Sequence, residues 1–390
     1  MADIEKRASG EATDDFPDSS SSQECEPKVN PEFRHEWPVV ANFLPAWFAV
    51  NMGTGITAIL LEKLPHQFNG LHYIATCIFA LNVFLFCLFL FLSVVRYTVW
   101  PEKFMQMINH PVQSLFTGTF PMGLATIVNL VVYICVPAWG EPARKLAWAL
   151  WWIDVVFSVA TCFIIPWILI SRHETKLEIM TAAWLLPIVA NVVVAASGGV
   201  VAEVLTNKQH ALWTIIASYI LWGTGVPLAV VVIVVYFQRL AFHKVPPKQV
   251  IVSVFLPLGP LGQGSFGIMQ LGKVAKQLFP HIHFISPTAG EVFYASSFMV
   301  GLIMWGFALI WIFFALMALC QGKFPFNLGW WAFTFPLGVF TTATYMFATE
   351  FESEFFAVIG TILGTTVTLL WLMVSTLTIW KAFTGELFRI

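Results

Sequence analysis

The segment Gly262–Gly267 has the spacing GxGxxG, which binds dinucleotides when it joins a β-strand to an α-helix. Such a site also needs an acidic residue about 20 residues further along, to hold the ribose. Glu291 lies beyond that distance, and the flanking segments are continuously apolar. We therefore reject a nucleotide site. Two compatible alternatives remain for these glycines: close backbone packing, or backbone amides exposed to a pore.

Asp154 is the one acidic residue well inside a long apolar segment. A carboxyl group within a membrane is expensive and is a functional candidate by default, so Asp154 could relay protons. The alternative is a protonated or hydrogen-bonded contact between two helices. Replacement by Asn would separate the two, because a relay would lose pH dependence whereas a structural contact would mainly lose expression.

The remaining reactive side chains form no recognisable catalytic or metal site. His110, His281 and His283 are too scattered for a metal centre, and the six cysteines include no CxxC pair. HExxH, GxSxG and P-loop patterns are also absent from the sequence. We expect no cofactor, no metal and no nucleic-acid partner, and an integral membrane enzyme is only a remote alternative.

The composition is that of a membrane protein, since 58% of the 390 residues are hydrophobic and only 11% are charged. Segments of about 20 uncharged residues are long enough to cross a bilayer core of about 30 Å. Such segments predict an all-α polytopic protein with ten transmembrane helices in one domain at residues 37–383. They lie near residues 39–61, 70–93, 114–138, 146–170, 179–202, 212–237, 250–272, 289–319, 329–349 and 356–380.

The charges predict that both termini lie in the cytosol. Residues 1–36 contain many acidic residues, a serine run and several prolines, which predicts a disordered acidic tail. With that tail inside, most of the Lys and Arg residues in the short loops also lie inside, as the positive-inside rule requires. Residues 384–390 are then a short cytosolic C-terminus.

A weak internal repeat links the odd-numbered segments, each of which contains a proline after a bulky apolar residue. Proline frees a backbone carbonyl and kinks a helix, and a free carbonyl is tolerated at membrane depth only beside protein or a water-filled cavity. The repeat therefore predicts five helical hairpins whose odd helices line a central pore and whose even helices face lipid. The alternative is that prolines are simply common in membrane helices. The predicted kinks lie at Pro45, Pro121, Pro187, Pro257 and Pro336.

Small polar residues and glycines concentrate in the same odd segments, and we expect them to line the pore or contact an anion. No Lys or Arg lies within these segments, whereas broken helices offer amide donors and partial positive charge. This combination favours a small anion held weakly enough to leave again. The predicted lining residues are Asn51, Thr119, Asn129, Asn191, Gly262, Gln263, Gly264, Ser265 and Thr334.

Three motifs resemble those of the fungal sulfite efflux pumps. Residues 116–129 (FTGTFPMGLATIVN) resemble the third helix of these pumps, and residues 258–267 (LGPLGQGSFG) resemble the seventh nearly letter for letter. Residues 329–336 (GWWAFTFP) are similar to the ninth helix, and also to malic-acid transporters and plant slow anion channels of the wider tellurite-resistance/dicarboxylate transporter family. The similarity extends over essentially the whole membrane domain.

The resemblance implies ten helices with quasi-five-fold symmetry and a homotrimer in which each protomer has its own pore. It also implies a phenylalanine of the ninth helix that closes the pore. Phe335, at the proline kink, is the preferred position, with Phe333 as the alternative and Phe120 at the equivalent place in the third helix. The implied function is export of the sulfite or bisulfite anion across the plasma membrane, with malate or another small anion as the alternative substrate.

Overall fold

The computed structural model describes residues 38–282 and 284–388, so the predicted tail at residues 1–36 lies outside the described residues. The described chain is helical and contains no β-strand. Its principal helices are α1 (Phe48–Glu62), α2 (Leu71–Val99), α3 (Gln113–Trp139), α4 (Glu141–Ser171), α5 (Ala182–Val204), α6 (Lys208–His243), α7 (Ile251–Ile282), α8 (Ala289–Leu319), α9 (Thr334–Glu350) and α10 (Glu354–Phe383).

Eight of these helices are long and apolar enough to cross a membrane, which confirms a polytopic membrane protein. The exceptions are α1 and α9, with 15 and 17 residues. At 1.5 Å per residue they extend roughly 22 Å and 26 Å, less than a bilayer core of about 30 Å. Eight of the ten predicted segments are therefore candidate membrane spans among the described residues, and ten crossings stay a prediction.

The odd-numbered helices close into a ring. Along the chain α1 contacts α3, α3 contacts α5, α5 contacts α7 and α7 contacts α9, and α9 returns to contact α1. Each even helix packs outside this ring against the two odd helices that precede and follow it, with α10 lying between α9 and α1. The odd helices therefore form a closed inner ring, with the even helices packed outside it.

Burial separates the two sets of helices. In the most apolar part of each even helix, 22% to 33% of the residues are buried, whereas 89% to 100% are buried in α3, α5 and α7. The even helices carry continuous apolar runs, and these leave large side chains such as Phe84, Trp167 and Phe313 exposed. Such a surface suits hydrocarbon rather than water, so the predicted inner and outer positions agree with the structure.

Every odd helix starts with a short 3₁₀ segment before its α-helical part. These segments are Pro45–Trp47, Gln113–Gly118, Ala182–Trp184, Ile251–Phe255 and Leu328–Phe333. The repeated prolines lie beside these junctions: Pro121, Pro187 and Pro336 are each the third residue of the α-helical part. Proline is well tolerated in a first turn, because its missing N–H would have no helical partner there. At the predicted kinks, each odd helix therefore changes from a 3₁₀-helix to an α-helix near its start.

Hydrogen bonds join the two layers of helices. The Trp371 indole N–H of α10 donates to the Thr54 hydroxyl oxygen of α1 at 3.1 Å, and the Trp222 indole N–H of α6 donates to the Gly264 carbonyl of α7 at 3.0 Å. Indole groups suit this place, since a large apolar body packs between helices while one N–H satisfies an acceptor. These contacts hold the inner ring against its outer layer.

Candidate functional site

Two cavities lie within the ring of odd helices. The first, which we call the apolar cavity, measures about 370 Å³ and lies at the starting ends of the odd helices. Its walls include Met52, Met122, Leu186 and Leu256. Both cavities far exceed the roughly 30 Å³ that one water molecule occupies in the liquid. The first cavity can therefore hold water or a small solute, but its walls offer few polar partners.

The second, which we call the polar cavity, measures about 320 Å³ and lies toward the final ends of the odd helices. Asn129 and Gln263, two of the predicted lining residues, belong to its wall. Lys63, Glu203 and Lys273 lie at the same cavity. Amide and ammonium donors together form a surface that can bind an anion.

Phe335 lines both cavities. Its side chain is only 3% exposed, and it is the second residue of α9, directly before Pro336. In this position the phenyl group separates the apolar cavity, at one end of the ring of odd helices, from the polar cavity at the other end. Of the three predicted gate residues, Phe335 is therefore the one that lies between the two cavities.

Phe333 and Phe120 lie elsewhere. Phe333 belongs to the 3₁₀ segment before α9 and packs edge-on against Phe255, with ring centroids 5.0 Å apart. Phe120 packs among aromatic rings of α1, α2 and α4, for example 5.5 Å from Phe86. Neither residue lines the apolar or the polar cavity.

The polar cavity contains fixed cations, contrary to the expectation that no Lys or Arg lies around the pore. The discrepancy arises from the lengths of α1 and α7. Lys63 immediately follows the short helix α1, so its ammonium reaches the cavity within the ring. Lys273 was expected in a loop, but α7 continues to Ile282 and keeps Lys273 on the pore helix.

Lys273 is engaged by two carboxylates. Its ammonium nitrogen lies 3.6 Å from Glu203 and 3.3 Å from Glu350. Glu203 also accepts a hydrogen bond from the Gln270 amide at 2.8 Å, and Glu350 accepts one from the Tyr294 hydroxyl at 2.7 Å. The positive charge of Lys273 is therefore more than balanced by the two carboxylates of this network.

Lys63 is placed differently, with its ammonium nitrogen 4.1 Å from the centroid of the Tyr133 ring. Tyr133 lies in the π-helical turn Val131–Cys135, which interrupts α3. Partial burial lowers the pKa of Lys63 from its ordinary value, and nearby Lys273 lowers it further, whereas Glu203 and Glu62 act in the opposite direction. Lys63 thus carries a partly desolvated charge at the cavity mouth.

Several predicted lining residues bind neighbouring helices instead. The Asn51 amide of α1 donates to Asn82 of α2 at 3.1 Å, and the Asn191 amide of α5 donates to Thr224 of α6 at 3.0 Å. The Ser265 hydroxyl of α7 donates to the Gly301 carbonyl of α8 at 2.8 Å. These side chains join helices, as small polar groups commonly do in membranes.

The two predicted threonines lie at the starting ends of their helices. Thr119 lines the apolar cavity, and its hydroxyl contacts the Pro45 carbonyl oxygen at 2.9 Å. Thr334 is fully buried and donates to the Trp331 carbonyl of its own segment at 2.9 Å. Of these two threonines, Thr119 is therefore the one that lines a cavity.

The glycines of α7 serve close packing. A Cβ atom on Gly262 would lie 2.6 Å from the Phe340 backbone nitrogen of α9, and one on Gly264 would lie 2.4 Å from the Met304 side chain of α8. Both glycines lie inside the α-helical part Leu258–Ile282, where backbone amides bond within the helix. Of the two alternatives for this motif, the structure favours close packing.

Asp154 is fully buried on α4, and neither carboxylate oxygen has a hydrogen-bond partner among the described residues. Ser158, one turn further along the same helix, also has an unpartnered hydroxyl. Asp154 lies outside the walls of both cavities. A role in proton movement stays a prediction.

Lys63, Lys273 and Tyr133 are cavity residues that sequence reasoning missed. The available signal was the position of both lysines directly after predicted helix ends, where a short or extended helix changes which residues reach the pore. His283, one of the scattered histidines, lies outside the described residues, whereas the His110 ring nitrogen accepts from the Val112 backbone amide at 3.1 Å.

Comparison with known proteins finds a family and several relatives to which this chain is similar. The family model described as "SLAC1: Voltage-dependent anion channel" matches residues 42–379. The chain is 58% identical over 356 residues to the sulfite efflux pump SSU1 of Arthroderma benhamiae, covering 91% of this chain and 95% of that protein. The SSU1 protein of Trichophyton rubrum shows the same identity and coverage.

A more distant relative is the malic acid transport protein of Schizosaccharomyces pombe. It is 25% identical over 338 residues, covering 85% of this chain and 76% of that protein. The resemblance inferred from the three motifs is thereby confirmed.

Proposed function

This chain belongs to the SLAC1 family of voltage-dependent anion channels, and we propose that it exports sulfite across the plasma membrane through a pore in each protomer. The position of Phe335 in the walls of both cavities is the observation that carries this proposal. Relatives that are 58% identical and named sulfite efflux pumps support sulfite as the substrate.

The route for the anion runs from the apolar cavity, past Phe335, into the polar cavity. The phenyl ring closes this route by filling the narrow part and by excluding water from it. An anion passes when the ring moves aside. Asn129 and Gln263 then supply neutral donors on the far side of the ring.

The direction of transport follows from the proposed orientation, in which both termini are cytosolic and the polar cavity opens outward. Lys63 and Lys273 then belong to the minority of basic residues on the outer side. An inside-negative membrane potential drives an anion outward with about 2.3 kcal/mol per charge per 100 mV. Export therefore needs no further energy source in this mechanism.

The proposed assembly has all ten helices spanning the membrane with quasi-five-fold symmetry and three protomers per complex. The closed contact order of α1, α3, α5, α7 and α9 supports the symmetry. The short helices α1 and α9 cross together with the 3₁₀ segments that precede them, which add length to each. Chemical crosslinking of the purified protein would test the trimer.

Expression in a sulfite-sensitive fungal cell tests the substrate. We expect tolerance to added sulfite to rise when the full chain reaches the cell surface, and sulfite to accumulate faster in the medium. An unchanged tolerance with confirmed surface expression would refute sulfite export.

Malate is the second candidate, because the chain also resembles the malic acid transport protein. The second carboxylate of such a substrate needs a further cationic or amide-rich anchor, and the polar cavity contains two cations, Lys63 and Lys273. Lys273 is already paired with Glu203 and Glu350, which favours a small anion with one anchoring point. Competition between labelled sulfite and unlabelled malate distinguishes the two substrates.

A further inference from the structure

The carboxylates around the polar cavity already have partners. Glu203 and Glu350 both contact Lys273. Glu62, next to Lys63 in the sequence, lies 2.9 Å from the His72 ring nitrogen. The two glutamates share one ammonium, so the cluster of Lys273, Glu203 and Glu350 keeps one net negative charge close to Lys63 without a direct ion pair to it.

Lys63 is a cation of the cavity wall that lacks an ion pair. Within residues 38–282 and 284–388, no carboxylate oxygen lies within 4.0 Å of its ammonium nitrogen, and its close contact is the Tyr133 ring at 4.1 Å. A cation over an aromatic ring is oriented by the ring but keeps its charge and its N–H donors available. Its exposure at the cavity mouth also makes it accessible from the adjoining solvent.

We propose that Lys63 is the principal group of an anion-binding site in the polar cavity, which takes a small oxyanion as it leaves the pore. This inference rests on the proposed sulfite export. The Tyr133 ring positions the ammonium, and Asn129 and Gln263 lie in the wall of the same cavity. Lys273 and its two glutamates together carry one net negative charge, which moderates the affinity of this site for an anion.

The site binds weakly enough to release its ligand, for a reason visible in its surroundings. Glu203 lines the same cavity as Lys63 and acts electrostatically on it, although it lies beyond contact distance. A carboxylate near the ammonium reduces the attraction for an incoming anion. An exit site requires this balance, because conduction needs binding that favours entry but still permits departure.

Sulfite binding to the purified full-length protein tests the proposal, with sulfite-dependent thermal stabilisation as the readout. We expect Lys63→Met, which keeps an unbranched stem and removes the charge, to raise the dissociation constant about two- to fivefold, as for a partly exposed charge. Lys63→Arg should stay near the wild-type value, because it retains the charge and can lie over the ring.

Lys276→Met is the matched control. Lys276 also lies over an aromatic ring, at 4.3 Å from the Tyr294 centroid, but it pairs with Glu291 and lies outside the polar cavity wall. We expect its substitution to leave the dissociation constant unchanged. An equal loss in Lys276→Met would indicate a general effect of surface charge and would overturn the proposal.

Two other results would also overturn it: wild-type affinity in Lys63→Met, or no sulfite binding by the wild type. If Lys63→Arg weakened sulfite binding as much as Lys63→Met, the role of Lys63 would be packing rather than charge, and the proposal would again be overturned. Sulfite flux measured in parallel separates this inference from the proposed function. Binding that depends on Lys63 without any flux would refute export alone, whereas flux with unaltered binding in Lys63→Met would refute the site alone.

Discussion

Replacement of Phe335 by Ala should convert a closed pore into a leaking one. Phe335 is 3% exposed and lines both cavities, so in the proposed pore an anion would pass only when the phenyl group leaves this position. Burying a phenylalanine side chain stabilises a protein by about 1.5–3 kcal/mol, and displacing it costs a similar amount. Since about 1.4 kcal/mol corresponds to a factor of ten, we expect Phe335→Ala to raise passive sulfite flux roughly ten- to a hundredfold.

The measurement is sulfite efflux from proteoliposomes that contain equal amounts of folded protein, at a fixed membrane potential. Phe333→Ala is the matched control, because Phe333 is a similarly buried phenylalanine two residues earlier that packs on Phe255 outside both cavities. It should lower the melting temperature while leaving the leak unchanged. An unchanged flux in Phe335→Ala, or an equal increase in Phe333→Ala, would refute the assignment of the gate.

Three further predictions concern α7, α4 and the polar cavity. Gly262→Ala should destabilise the purified protein by about 1–3 kcal/mol, because its Cβ would lie 2.6 Å from a Phe340 backbone atom. Gly259→Ala is the control and should not destabilise the protein, because the nearest methyl group would lie 3.9 Å from its Cβ. Equal melting temperatures of the two variants would contradict this packing. Asp154→Asn should preserve sulfite flux and its pH dependence, since Asp154 lies outside both cavities, and a loss of pH dependence at normal expression would instead establish a proton relay. Because burial lowers the pKa of Lys63, raising the pH toward about 10 should deprotonate it earlier than a free lysine and weaken sulfite binding; Lys63→Arg should keep its affinity there, and a parallel decline in both proteins would contradict the role of this charge.

Much of the architecture could be predicted because the membrane imposes simple rules on sequence. Long uncharged runs identified the helices, and the proline repeat separated the odd helices from the even ones. The structure shows both in its closed inner ring and in the contrast in burial. The resemblance of the third, seventh and ninth helices also located Phe335, whose position between two cavities depends on three-dimensional packing.

The side chains that line the cavities were harder to predict, because a polar residue on an inner helix has two possible neighbours. Asn129 and Gln263 face the polar cavity, whereas Asn51 and Asn191 turn outward to hydrogen-bond with even helices. All four are amide residues in apolar segments of odd helices, so only the rotation of each helix determines whether the side chain faces the cavity. Lys63 was missed for a related reason, since its approach to the cavity depends on the shortness of α1.

The two cavities that meet at Phe335 also determine where a voltage across the bilayer acts. If both cavities fill with water when the proposed pore conducts, the low-conductivity part of the path is reduced to the layer of the Phe335 phenyl group. The electric field is then concentrated across this thin layer rather than spread over the full bilayer. In the proposed pore, a permeating anion would therefore gain most of its driving energy, about 2.3 kcal/mol per charge per 100 mV, in one short step past the phenyl group. Sensitivity of flux to voltage should belong to that step, while Lys63, in the wall of the polar cavity beyond it, should alter affinity almost independently of voltage.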